Sequence, residues 1–151
     1  MQGIIVSDTS CLILLHKIGR LDILKSVFGK IIITSVIAKE FNEELPDFVE
    51  IQDPEDNNYQ KILESFLDTG EASAIALAIE IVDCLLIIDE VKGRREAKSL
   101  QMQFTGTLGV LIVAKEKGII NSVGEIIDLI KETNFRVSDK LIADTLKKCG
   151  E

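Results

Sequence analysis

The 151-residue sequence has no tryptophan, one tyrosine, one histidine, two prolines and three cysteines. Each shortage removes a class of chemistry. With so few Trp and Tyr rings, extensive stacking on nucleic-acid bases is not expected. Cys11, Cys84 and Cys149 have neither paired nor metal-type spacing, so they read as buried or incidental thiols rather than a disulfide frame or zinc site. His16 falls late in the first helix and reads as a surface or packing residue, which leaves no base for a serine-histidine-acid triad. The longest apolar stretches, Cys11 to Leu15 and Cys84 to Ile88, are far too short to span a bilayer, and Met1 to Ile5 lacks the start of a signal peptide. A soluble, cytoplasmic protein with no membrane contact is expected.

Positive charge is also scarce. Seventeen Lys and Arg stand against 25 Asp and Glu, a formal net charge of -8. Non-specific affinity for phosphate normally comes from clustered cations, so the balance argues against a simple nucleic-acid-binding module. Acids gathered to hold divalent cations add to the same count, however, and a bound ion reverses the local charge.

What is present is apolar material, 46% of residues, with no low-complexity tract and no internal repeat. The length suits one domain, 1–151, with one core. Short β-branched runs at Gly3–Ser7, Ile31–Thr34 and Cys84–Ile88 read as strands, and Phe48–Gln52 and Gln103–Thr105 as two more. Helical spacing or capping marks Cys11–Leu15, Leu21–Phe28, Val36–Phe41, Tyr59–Leu67, Glu71–Ile81, Val91–Leu100, Leu108–Lys117, Ser122–Thr133 and Ser138–Lys148. Asp68-Thr69-Gly70 reads as a break between two of these helices. Strands alternating with helices at this density predict an α/β three-layer sandwich with a central, mainly parallel sheet flanked by helices.

Ligands of such folds bind outside the carboxyl ends of the strands. Asp8 follows the first strand and Asp89 the late hydrophobic one, so both carboxylates enter one crevice if those strands are neighbours. Taken singly, each has a bland explanation as a helix cap or a favourable first-turn charge. Glu40 lacks that explanation, because it lies near a helix C-terminus. Glu71 opens an Ala-rich helix, and a first-turn charge explains it well.

These pieces together resemble the PIN-domain nucleases, in particular the small prokaryotic branch that begins with a strand and Asp-Thr-Ser. The similarity rests on Ile5-Val6-Ser7-Asp8-Thr9-Ser10, Ile37-Ala38-Lys39-Glu40-Phe41, Thr69 to Ala78, Leu86-Ile87-Ile88-Asp89-Glu90 and Gly93-Arg94-Arg95-Glu96-Ala97. Thr105 to Leu111 and Ala114 to Gly118 fit the same branch. The resemblance implies a metal-dependent ribonuclease that hydrolyses RNA phosphodiester bonds with Mg²⁺ or Mn²⁺. It implies Asp8, Glu40, Glu71 and Asp89 as metal-binding carboxylates, with Thr9, Ser10 and Thr107 as polar neighbours. Many such proteins are toxins of toxin-antitoxin pairs, so an antitoxin partner and a homodimer are implied as well.

Hard oxygen donors suit Mg²⁺. Substrate grip has one clear source in the sequence, Lys92, Arg94, Arg95 and Lys98, which follow Asp89 directly; a solvated helix face balanced by Glu90 and Glu96 explains them equally well. The alternatives are a non-catalytic PIN-like module that binds nucleic acid or protein, a phosphoacceptor switch that lacks the expected acidic pair, and a phosphatase using the same metal chemistry.

Overall fold

The computed structural model describes residues 3–151, so the expectation for Met1 lies outside the described residues. Five short strands form the centre: β1 (Ile4–Ser7), β2 (Ile31–Ile33), β3 (Val49–Ile51), β4 (Cys84–Ile87) and β5 (Gln103–Thr105). They lie in the order β3-β2-β1-β4-β5, and every neighbouring pair is parallel. Parallel strands need crossover connections, which bury both faces of a sheet under helices. The three inner strands, β2, β1 and β4, meet that demand with nearly continuous apolar runs, whereas the edge strands β3 and β5 carry polar, exposed residues. Ile5, Val6, Ile31, Ile33, Leu86 and Ile87 are all at most 3% exposed.

Nine helices surround the sheet among the described residues: α1 (Thr9–Lys17), α2 (Asp22–Phe28), α3 (Ser35–Phe41), α4 (Asn57–Leu63), α5 (Thr69–Glu80), α6 (Val91–Ser99), α7 (Thr107–Glu116), α8 (Val123–Lys131) and α9 (Asp139–Lys148). The α/β sandwich is therefore the observed architecture, with a wholly parallel sheet. No helix among the described residues is long and apolar enough to cross a membrane.

Local capping chemistry sets where several helices begin. Thr34, Asp56, Asp68, Ser122 and Ser138 each accept a backbone N–H of the turn that follows, satisfying donors that have no intrahelical partner. Asp68-Thr69-Gly70, expected as a break, is instead the cap and first turn of α5. The helix starts two residues early because Asp68 Oδ1 accepts the Glu71 N–H at 2.8 Å. At the other end of α2, Gly29 stops the helix at φ 80°, a conformation a side chain would resist.

Helix α5 is buried almost throughout, from Gly70 to Ala78. Its small side chains allow it to sit against the sheet and α3, with Ser73 Oγ and Thr34 Oγ1 2.7 Å apart in the interior. That close seat carries the first turn of α5, with Asp68 and Glu71, to the carboxyl edge of the sheet.

Candidate active site

The central question of spacing is settled by β1 and β4, which pair directly with Ser7 opposite Ile87. Asp8 follows Ser7, and its backbone N–H bonds Ile87 O at 2.9 Å. Asp89 leaves the same edge two residues beyond Ile87. Asp8 occupies the N-cap position of α1 but makes no capping hydrogen bond with its side chain. Asp89 is not the cap of α6, a position held by Glu90. It accepts instead the N–H of Thr107 at 2.8 Å and the Thr107 hydroxyl at 2.7 Å, and so binds the first residue of α7.

Glu40, on the last turn of α3, reaches across to α1, where Thr9 Oγ1 donates to its Oε1 at 2.6 Å. The same carboxylate lies over Gly70. A Cβ at that position would collide with Glu40 Oε1, so the missing side chain makes room for the acid. Glu71 is the least ordinary of the group. A first-turn glutamate kept for the helix dipole alone would face water, yet Glu71 is 4% exposed. Its Oε2 is the single buried side-chain polar atom without a hydrogen-bond partner among the described residues. It points into the gap left by Gly93, where a Cβ would stand 2.9 Å from it.

Burial of an unpaired carboxylate oxygen is costly, so such an atom calls for a partner, and a cation would supply one. The electrostatics agree. Burial pushes the Asp8 carboxyl up to about 7; the adjacent Thr9 N–H opposes this, while the charges of Asp68, Glu40 and Asp89 add to it. Burial also pushes Glu71 well above the carboxylate range, helped by Asp68 and then Asp8. Five acids thus act on one another at one sheet edge, and Asp68 joins the four expected from sequence.

Among the described residues no three of these groups are drawn close enough to form a ready-made ion cage. The donors nevertheless fit a hard divalent cation. Mg²⁺ is commonly held through one or two carboxylates while keeping several waters, so a full protein cage is not required. The buried, unpaired Oε2 of Glu71 suits the same ion. Cys11, which lies near Asp8, Asp89 and Thr107, is buried with its thiol pushed up to about 12, mainly by burial, so it stays protonated rather than offering a soft thiolate.

The other expected residues are distributed as follows. Thr9 and Thr107 orient acids, as above. Ser10, half-buried, lines a cavity with Ile13, Leu14, Lys17, Asn134 and Phe135 rather than bonding an acid. Of the cations on α6, Arg94 is half-buried and faces the cavity beside Asp89, whereas Lys92, Arg95 and Lys98 are exposed and do not line it. His16 is a surface residue, 3.9 Å from Glu43 and edge-on to Phe41.

A family model described as a PIN domain matches residues 4–151. No curated protein matches the chain. PIN domains are generally nucleases and usually use divalent metals. With this match extending over the whole sheet and every acid of the site, the chain belongs to the PIN-domain family.

Proposed function

We propose that the protein is a metal-dependent endoribonuclease whose carboxylates Asp8, Glu40, Glu71 and Asp89, supported by Asp68, hold Mg²⁺ or Mn²⁺. The observation that carries this reading is the buried, unpaired Glu71 Oε2 beside a buried Asp8 at one strand edge. Two buried acids that repel each other are unfavourable for the fold alone, and a cation is the simplest compensation.

When bound, the ion lowers the pKa of a water and acts as a Lewis acid on the phosphoryl oxygens. The chain's own groups fix the geometry around it. Thr107 holds both oxygens of Asp89 at the end of β4, so that carboxylate does not rotate. Thr9 donates to Glu40 Oε1 and leaves Oε2 to accept from a water at the mouth of the site. Asp8 and Glu71 lie deeper, in a setting from which bulk water is largely excluded, where charges act on substrate more strongly. In the hydrolysis, water oxygen bonds to phosphorus, the bond from phosphorus to the 3′ oxygen breaks, and that oxygen takes a proton. The products are a 5′-phosphate and a 3′-hydroxyl.

The test is cleavage of end-labelled single-stranded RNA by the purified protein in Mg²⁺, Mn²⁺ or EDTA, with the new termini identified. Cutting in either metal and none in EDTA supports the reading. Metal-independent cutting, or cyclic-phosphate ends, contradicts it.

A further inference from the structure

The groove beside Asp89 reverses the charge balance of the molecule. It encloses about 420 Å³ and runs from Asp89 and Gly106, at the carboxyl edge of the sheet, to α9. In a chain with 25 acids and 17 bases, its charged lining is Arg94, Arg136 and Lys148 against Asp89 alone. No ion pair among the described residues engages any of the three cations. Arg94 is positioned by Phe104, its guanidinium 5.3 Å from the ring centroid. It also flanks Gly106 from the same side as Asp89. Arg136 and Lys148 are exposed, and half-buried Phe135 and Leu108 supply apolar wall between them and the site.

We propose that this groove is the track for the single-stranded RNA segment next to the scissile phosphate. Arg94, Arg136 and Lys148 neutralise successive phosphates, and a base lies against Phe135 and Leu108. The pairing of a cationic lining with an apolar wall matches a single strand, whose charge is on the backbone and whose faces are aromatic. Continuity with Asp89 favours RNA over an acidic protein segment, because a strand in the groove enters the acid cluster directly. The inference rests on the nuclease reading; two of its three cations, Arg136 and Lys148, come from the segment before α9 and from α9 itself, outside the motifs that carry the acids.

The test uses Arg136→Ala/Lys148→Ala, two exposed and unpaired positions whose loss leaves the fold intact. Binding of a fluorescent single-stranded RNA oligonucleotide is followed by anisotropy in Ca²⁺ across a salt series. The same proteins are assayed on a small aryl phosphodiester, which reaches the acids without needing the groove. The expected result is at least tenfold weaker RNA binding, with a salt slope shallower by about 1.4, since each single-strand phosphate contact contributes about 0.7. Hydrolysis of the small diester stays at the wild-type rate. Unchanged affinity and slope in the variant overturn the track and leave the groove to a protein partner, whatever the catalytic assay gives. Failure of the wild type to cut the small diester and RNA alike counts against the nuclease reading instead, and the anisotropy comparison still decides the groove.

Discussion

Thr107 gives both of its hydrogens to one residue: its N–H lies 2.8 Å from Asp89 Oδ1 and its hydroxyl 2.7 Å from Oδ2. The two bonds fasten the acid after β4 to the first turn of α7, and Thr107 itself is fully buried. Hydrogen bonds to charged groups contribute about 1.5–3 kcal/mol. Thr107→Val keeps the shape and the N–H but loses the hydroxyl. It is expected to lower stability by about 1–2 kcal/mol in urea melts and to reduce kcat more than it raises KM, because it frees Asp89 while leaving the groove's three cations in place.

Gly70 separates stability from activity. Glycine inside a helix costs about 1 kcal/mol relative to alanine, so Gly70→Ala improves the propensity of α5 while its Cβ displaces the flexible, exposed end of Glu40. The expected outcome is a melting temperature equal to or above wild type with weaker Mn²⁺ binding and slower RNA cleavage. A variant of unchanged activity would mean that Glu40 has no part in the site.

The buried acids make the metal-free protein sensitive to base. Asp8 in the folded chain holds its proton up to about 7, whereas the unfolded chain releases it near the ordinary value of 3.8. Between those values the folded state binds more protons, so stability falls as pH rises through that window. Glu71 is shifted in the same direction. Urea melts in EDTA should lose roughly 2–4 kcal/mol between pH 5 and pH 8. Asp8→Asn should flatten that slope and raise stability at pH 8; an equally steep slope in the variant would assign the effect elsewhere.

A cation that binds only the folded state stabilises it by mass action, about 2.7 kcal/mol at 100 times its Kd. Mg²⁺ or Mn²⁺ should therefore raise the melting temperature more at pH 8 than at pH 5, where protons compete for Asp8 and Glu71. Equal shifts at both pH values would place the ion away from these acids.

Much of this arrangement was legible in the sequence because it depends on short-range signals. Apolar runs and capping residues marked each of the described strands and helices, with edges off by one to a few residues. A polar cap extends a helix beyond its apolar part, as Thr9 does for α1 and Thr107 for α7, while α4 ends at Leu63 rather than the expected Leu67, where the chain passes into a turn. The meeting of Asp8 and Asp89 followed from their positions after strands, once β1 and β4 were neighbours. Asp68 was missed because Asp-Thr-Gly looks like a turn, and only the packing of α5 against the sheet turns that cap into part of an acid cluster. The burial of Glu71 was equally hidden, since a first-turn glutamate ordinarily faces water. Arg136 and Lys148 lie far along the chain from the acids, and nothing in spacing relates them; tertiary folding alone brings them to the groove beside Asp89.

The central claim is that Asp8 and Glu71 seat a divalent cation that the nuclease needs. The most direct measurement is a Mn²⁺ titration by electron paramagnetic resonance on wild type, Asp8→Asn and Glu71→Gln, each confirmed as folded and each assayed in parallel for RNA cleavage. The account predicts Mn²⁺ binding by the wild type, binding at least tenfold weaker in both variants, and cleavage reduced at least a hundredfold with it. Wild-type Mn²⁺ affinity in both variants, or full cleavage without either carboxylate, would contradict it.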